Sequence, residues 1–245
     1  MISSSIKLLG IIGKPLAHSL SPALHNRWLK KYRLPFVYLP FELEPNQIKH
    51  LKTLMWLEDI WGLNVTAPYK QKVIPYLDQL DASAKKAGAV NTIVRRDRKL
   101  IGHNTDGLGW WEAMEGHTSF KAKGSTVVIL GAGGAAKAIA STLKSRGAKK
   151  ITLVRRPFQT KQLKKLFASA DLLVQATPVS PKVPLASLPK KAWVMDVIYD
   201  PNPTPFLKAA KKLKLKTLGG LEMLKFQAAL SFRLWTGHTV TQAHR

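Results

Sequence analysis

Asn64, Thr66 and Lys70 fall within seven residues, at the end of an apolar run over Ile60–Val65 that predicts a strand. In an open α/β sheet, ligands lie at the carboxyl ends of strands. A lysine there can serve as an acid or base, because desolvation or a positive setting lowers an amine pKa from about 10.4. Pro68 fits the first turn of a following helix, which would carry Lys72, Val73 and Leu77. That helix would set Lys70 near a positive N-terminus, where a cation adds nothing to helix stability. This points to chemistry, against the plain alternative of an exposed surface lysine. Ser19 and Ser21 occupy the loop after another predicted strand, Lys7–Ile12. Ser21, before Pro22, reads equally as a helix N-cap and as a ligand group. Asp106 opens a helix after Gly102–Thr105, where a carboxylate can cap and also face a ligand. Gln227 sits within a terminal segment, Leu221–Trp235, that is apolar nearly all round, so its amide needs buried partners.

A second group is built for a phosphate. Thr126–Leu130 runs into Gly131-Ala132-Gly133-Gly134-Ala135-Ala136, which reads as strand, tight turn and helix start. Gly131 makes the turn, Gly133 lets the backbone approach a pyrophosphate, and Ala136 lets the helix sit close to the strand. The unpaired N–H groups of a helix start attract an anion. A plain tight strand–helix turn is the alternative. The next strand, Lys150–Val154, ends in Arg155-Arg156 rather than in the acid that would bind a ribose 2′-hydroxyl. Arginine matches a 2′-phosphate in charge and geometry, so the expected cofactor is NADP rather than NAD.

The elements that position these groups alternate between strand and helix along the chain. Further strands are expected at Phe36–Phe41, Ala89–Val94, Leu100–His103, Asp171–Gln175, Trp193–Val197 and Leu215–Leu218. Helices are expected from Glu44 to about Leu57, at Ala82–Ala87, from Asp106, at Ala135–Ser145 and at about Thr204–Leu213. The 245 residues suffice for one large or two modest domains, and 45% hydrophobic content supports a core. There is no cysteine, which excludes disulfides, thiol catalysis and cysteine-based metal sites. His18, His25 and His103 lack a ligand spacing, and no metal is expected. Met1–Ser5 has no basic leader pattern, and no apolar run approaches about 18 residues, so neither a signal peptide nor a membrane span is expected. The net charge of +25 divides unevenly, +8 over residues 1–106 and +17 over 107–245. It suits anionic partners or a solvated basic surface. The pairs Lys149-Lys150, Lys164-Lys165, Lys190-Lys191 and Lys211-Lys212 are dispersed along the sequence, without an aromatic-interleaved stripe.

Together these stretches resemble the shikimate dehydrogenase family: His18–Asn26, Asn64–Lys70, Ala89–Thr92, Gly102–Gly107, the glycine loop, Met195–Asp200 and Gly220–Trp235. The resemblance implies an α/β fold of two domains. A substrate and catalytic domain over 1–106 is completed by 221–245, with the final helix returning to it. A Rossmann-like NADP domain spans 107–220. The two face each other across a cleft. The implied reaction is NADPH-dependent interconversion of 3-dehydroshikimate and shikimate in aromatic amino-acid biosynthesis. Ser19 and Ser21 would bind the substrate carboxylate, with Tyr199 near it. Asn64, Thr66, Asn91, Asp106 and Gln227 would bind ring hydroxyls. Lys70 and Asp106 would be the catalytic pair, Lys70 as acid and base. Gly131, Ala132, Gly133, Gly134, Ala135, Arg155, Arg156, Thr177 and Gly220 would hold the cofactor, Arg156 at the 2′-phosphate and Gly220 near the nicotinamide.

The sequence departs from the family pattern in four places. Arg155-Arg156-Pro157 replaces the usual Asn-Arg-Thr, and Pro157 supplies neither hydroxyl nor N–H. Gln175 replaces Asn, Ser180-Pro181 replaces Gly-Met, and the chain is slightly short. Rival readings are a quinate/shikimate dehydrogenase, a related dehydrogenase of another carbonyl substrate, and a basic nucleic-acid-binding protein on this scaffold. The favoured reading predicts a cytoplasmic enzyme, monomeric or homodimeric, with no membrane contact and no specific nucleic-acid partner.

Overall fold

The computed structural model describes residues 6–240, so Met1–Ser5 and the last five residues lie outside it. The chain forms two compact units, residues 6–105 with 227–240 and residues 106–226.

The first unit contains β1 (Lys7–Gly13), α1 (Ser21–Lys31), β2 (Phe36–Glu42), α2 (Leu51–Leu57), β3 (Ile60–Val65), β4 (Gln79–Leu80), α3 (Ala82–Ala87), β5 (Thr92–Arg96) and β6 (Lys99–His103). Its six-stranded sheet has the order β2-β1-β3-β5-β6-β4. β1 pairs in parallel with β2 and β3, while β5 runs antiparallel to β3 and β6. The pleat of β1 sends Leu9 and Ile11 to one face and Ile12 to the other. The first face packs Trp28 and Leu29 of α1 with Ala228 and Phe232 near the end of the chain. The second packs Leu51 and Met55 of α2 with Tyr69 and Val73. Asp97 and Arg98, both at positive φ, make the two-residue turn that returns β5 into β6.

The second unit contains α4 (Asp106–His117), β7 (Thr126–Leu130), α5 (Gly134–Ser145), β8 (Lys150–Val154), α6 (Thr160–Phe167), β9 (Leu172–Gln175), β10 (Trp193–Asp196), α7 (Pro205–Lys212) and β11 (Lys216–Leu218). Its sheet is wholly parallel in the order β11-β10-β9-β7-β8. The strands are nearly continuous apolar runs, as a sheet covered on both faces requires. One face packs against α4 and α5, and the other against α6 and α7. The last helix, α8 (Gly220–Thr236), starts in this unit and ends in the first.

Several local expectations change. After Pro68 the chain forms a series of turns and then a short 3₁₀ segment, Ile74–Tyr76, instead of an α-helix. Pro75 has no N–H to donate and obstructs the carbonyl four residues back, so the turn cannot propagate. Lys70 therefore lies in a turn, without the helix terminus expected beside it. The helix expected from Glu44 begins only at Leu51, after a 3₁₀ turn over Ile48–His50. α6 is a helix that no sequence expectation covers, although its buried Leu163 and Phe167 lie four apart on one face. No helix among the described residues is long and apolar enough to cross a membrane.

Candidate active site

In the first unit, β2 and β3 flank β1 on opposite sides, so the crevice for a ligand opens at the carboxyl ends of β1 and β3. Ser19 and Ser21 follow β1; Thr66 and Lys70 follow β3. Backbone bonds tie the two segments together: Thr66 N–H donates to Ile12 O (2.9 Å), and Lys14 N–H to Ala67 O (3.1 Å). Gly13 permits this approach, since a Cβ there would meet Thr66 Cγ2 at 2.3 Å. The antiparallel hairpin of β5 and β6 brings two more segments to the same end. Thr92 lies opposite Asn64 and His103, which places Asn91 and Thr105 beside them.

A buried network joins these segments. Asn64 Oδ1 accepts from Tyr38 OH (2.7 Å), and its Nδ2 donates to Asn91 O (3.0 Å) and Ser231 Oγ (3.1 Å). Asn91 Nδ2 donates to Thr105 Oγ1 (2.8 Å) and Gln227 Oε1 (3.2 Å), while its Oδ1 accepts from Thr105 N–H (2.8 Å). Thr92 and Ser231 hydroxyls lie 2.7 Å apart. Every amide in this chain of contacts has a fixed sense, because turning one would set donor against donor at Asn91 or Gln227, or acceptor against acceptor at Asn64. The buried Gln227 thereby finds the partners its position demanded.

Ser21 is not the N-cap. It is the first residue of α1, Leu20 holds the cap position, and no side chain caps the helix. Leu20 has an α-region backbone, so the chain is already turning before Ser21 is reached. Ser21 is buried, and its N–H donates to Ser19 Oγ at 3.4 Å. Lys70 is half-buried. Its carbonyl accepts from Val90 N–H (2.7 Å), and the adjacent Tyr69, fully buried, donates its hydroxyl to Leu43 O. The backbone that carries the ammonium is thus held on both sides. Beneath the network His25 stacks on Tyr38, ring centroids 4.4 Å apart, and burial lowers its pKa to about 3.

In the second unit the corresponding crevice lies at the carboxyl ends of β7 and β9, because β8 and β9 flank β7 on opposite sides. Gly131 has φ +116°, and a Cβ there would meet Ala176 O at 2.7 Å. Gly133 caps the twelve-residue α5 with an ordinary extended backbone, and a Cβ there would meet nothing within 4 Å. The chain itself requires glycine at the first position but not at the second, where a bare backbone fits close approach by a diphosphate. Arg155 and Arg156 stand exposed after β8, with no acid beside them in sequence. Arg156 Nη2 reaches Val179 O (3.4 Å) and Thr177 Oγ1 (3.5 Å). Gln175 holds that loop: its Oε1 accepts from Thr177 N–H and Oγ1, both at 2.8 Å, and its Nε2 donates to Thr177 O (2.9 Å). A glycine cradle at a long helix start, with two arginines at the neighbouring strand end, suits a nucleotide carrying a 2′-phosphate.

Tyr199 is half-buried in the loop after β10. Asp196, fully buried at the end of that strand, shapes the loop by accepting from Ile198 N–H (3.0 Å) and Thr204 Oγ1 (2.7 Å), and burial raises its pKa. Gly220 opens α8, where a Cβ would meet Val197 O at 2.3 Å. Asp106 is the first residue of α4 and is buried. Gly107 after it lets α4 press on α5, since a Cβ there would meet Thr142 Oγ1 at 2.4 Å.

Residues 11–93 match the family model described as the shikimate dehydrogenase substrate binding domain, and residues 220–241 match the shikimate 5′-dehydrogenase C-terminal domain. The shikimate dehydrogenase (NADP(+)) of Pyrococcus furiosus is 40% identical over 258 residues, covering 97% of this chain and 93% of the relative. This chain belongs to the shikimate dehydrogenase family. The crystal structure of shikimate dehydrogenase from Aquifex aeolicus superposes with a TM-score of 0.91 at 32% identity, covering 98% of this chain and 96% of that one. The shikimate 5-dehydrogenase of Thermus thermophilus, solved in complex with NADP(H) and shikimate, gives a TM-score of 0.85 at 31% identity, covering 96% and 95%.

Within this family fold, the first unit gathers Ser19, Ser21, Asn64, Thr66, Lys70, Asn91 and Gln227. The second carries Asp106, the glycine loop, Arg155, Arg156, Thr177, Tyr199 and Gly220. Tyr38, Thr92, Thr105, Ser231 and Asp196 are polar groups of these strand ends that the sequence did not single out. Thr92 and Thr105 adjoin residues already singled out, and Ser231 lies one helical turn after Gln227 on the same face. Tyr38 sits inside β2 with nothing in its local sequence to mark it.

Proposed function

We propose that this chain catalyses the reversible, NADPH-dependent reduction of 3-dehydroshikimate to shikimate in aromatic amino-acid biosynthesis. The first unit binds the substrate, and the second binds NADP. The observation that carries this is the network of Asn64, Asn91 and Gln227 at the strand ends that also present Lys70 and the two serines. A small ring with several hydroxyls and a carboxylate needs such a set of oriented amides and hydroxyls. When bound, NADPH supplies the hydride. The protein supplies a proton to the carbonyl oxygen as negative charge develops there, and Lys70 is the donor; in the reverse direction its neutral amine takes the hydroxyl proton. Asp106 works with it as the second catalytic group on the ring hydroxyls. Ser19 and Ser21 hold the carboxylate with Tyr199, and Thr66 contributes a further hydroxyl. Gly131–Ala135, Thr177 and Gly220 line the cofactor, while Arg155 and Arg156 take its 2′-phosphate. The enzyme acts in the cytoplasm as a monomer or homodimer.

The deciding experiment measures NADP-dependent oxidation of shikimate, with quinate and NAD as controls. Lys70→Ala is expected to lower kcat by orders of magnitude while leaving the shikimate KM little changed. A near-normal kcat in that variant removes Lys70 from the mechanism. Arg156→Ala is expected to raise KM for NADPH far more than for NADH.

A further inference from the structure

Dispersed in sequence, the lysine pairs converge in the fold. The five strands of the second unit are parallel, so all of them begin at one pole of the sheet, opposite the glycine loop. Lys150 is the first residue of β8, Lys216 the first of β11, and Lys191 lies two residues before β10. The helices run back between strands, so α5, α6 and α7 end at this pole, with Lys144, Lys165 and Lys212 in their last turns. Backbone bonds close the pole: Lys149 N–H to Ser125 O (2.9 Å), Asp171 N–H to Thr126 O (2.8 Å), and Trp193 N–H to Asp171 O (3.0 Å). All six lysines are exposed. One lysine at a helix C-terminus is ordinary dipole complementation. Here the opposing charge is sparse as well. Residues 116–170 contain twelve lysines and arginines and no acid. Asp171, the acid at these strand starts, already accepts from Thr126 N–H and lies 3.8 Å from Lys191.

We infer that the amino-terminal pole of this parallel sheet docks the phosphate backbone of double-stranded nucleic acid, without reading its sequence. The partner must be a dense polyanion, because a field of six lysines with the single acid Asp171 beside Lys191 is relieved by one. The exposed large hydrophobic residues include none at this pole, so nothing there would enter a bilayer. Trp193, the aromatic ring beside it, is half-buried under Lys216, which leaves no exposed platform for unstacked bases.

The test is fluorescence anisotropy of a labelled duplex of about 20 base pairs over a salt series, where each neutralised phosphate contributes a slope of about −0.9 to log K against log salt. The triple variant Lys191→Glu, Lys212→Glu, Lys216→Glu is expected to lose about tenfold or more in affinity and to flatten the slope by about one for each phosphate left without its lysine. The control Lys30→Glu, Lys49→Glu, Lys86→Glu, with the same charge change on the first unit, should lose little. Saturating NADPH should leave duplex binding intact, and steady-state shikimate oxidation should be unchanged in both variants. Equal losses in the two triple variants would reduce the effect to net charge and overturn the assignment. Competition by NADPH would move the binding to the cofactor end and also overturn it. So would tighter binding to anionic phosphatidylglycerol vesicles than to duplex, or no duplex binding at low salt.

Discussion

Gly131 and Gly133 lie two residues apart in one loop but are glycine for different reasons. Gly131 has φ +116° and faces the carbonyl of Ala176, so alanine there meets both backbone strain and a clash. Gly131→Ala should cost about 1–3 kcal/mol of stability, measured by urea unfolding. Gly133 has neither constraint within the protein. Gly133→Ala should leave the unfolding midpoint unchanged and raise KM for NADPH severalfold, with KM for shikimate unaffected. A destabilised Gly133→Ala, or one with normal NADPH kinetics, would contradict a diphosphate at this turn. His25 offers a second single-residue test. Its ring is fully buried between Trp28 and Tyr38, and the desolvation of that site outweighs the contact with Asn64 that favours the charged form. The unfolded chain takes up the proton near pH 6.5, whereas the folded chain resists it until about pH 3. Between these values the unfolded state binds more protons, so stability falls as pH is lowered through 6.5 towards 3. At pH 5 this amounts to about 2 kcal/mol relative to neutral pH. Replacing the ring by His25→Phe should flatten that part of the pH–stability curve, and an unchanged slope would show that the loss arises elsewhere.

At the scale of elements, the strand ends act as a unit only because side chains from β2, β3, β5 and α8 interlock. Ser231 is the joint. It lies within reach of Asn64, Thr92 and Thr105, and bonds back to Gln227 O at 3.0 Å. Ser231→Ala should remove a hydrogen-bond partner from Asn64 and Thr92 and loosen the amides it orients, at a cost of about 1 kcal/mol. The shikimate KM should rise about tenfold, the equivalent of 1.4 kcal/mol, with KM for NADPH unmoved. Equal changes in both KM values would reduce Ser231 to general stability. This joint also marks where sequence reading stops. β7, β8 and β3 were legible to the residue, because apolar runs bounded by glycine or charge leave one register. The turn at Pro68 reads as a helix in sequence because the signal for a helix start precedes the signal that ends it at Pro75. The amphipathic α6 is short and lies between two stronger strand signals. Ser231 and Tyr38 matter through partners about 140 and 26 positions away, at Thr92 and Asn64, and no local pattern encodes such contacts.

At the scale of the whole molecule, the charge of +25 opposes folding, because the folded chain holds its lysines closer together than the unfolded one. Ion pairs offset little of this. Lys52 with Asp78 and Arg95 with Asp59 each have an exposed partner, and such pairs contribute at most about 1 kcal/mol. Screening should therefore stabilise the protein, the reverse of what a chain held by surface ion pairs would show. Raising sodium chloride from about 0.02 to 0.2 M shortens the Debye length from roughly 20 Å to under 10 Å, about the spacing of neighbouring surface charges. The midpoint of thermal unfolding should rise by several degrees over that range. Each unit has its own apolar clusters, so two transitions can separate, and the one belonging to residues 106–226 should move further. Neutralising Lys191, Lys212 and Lys216 to glutamine should raise the midpoint at low salt and shrink the salt dependence together. A midpoint that stays flat or falls with added chloride would mean that local pairing outweighs the net charge, and the crowding of lysines at the strand starts would then carry no energetic cost.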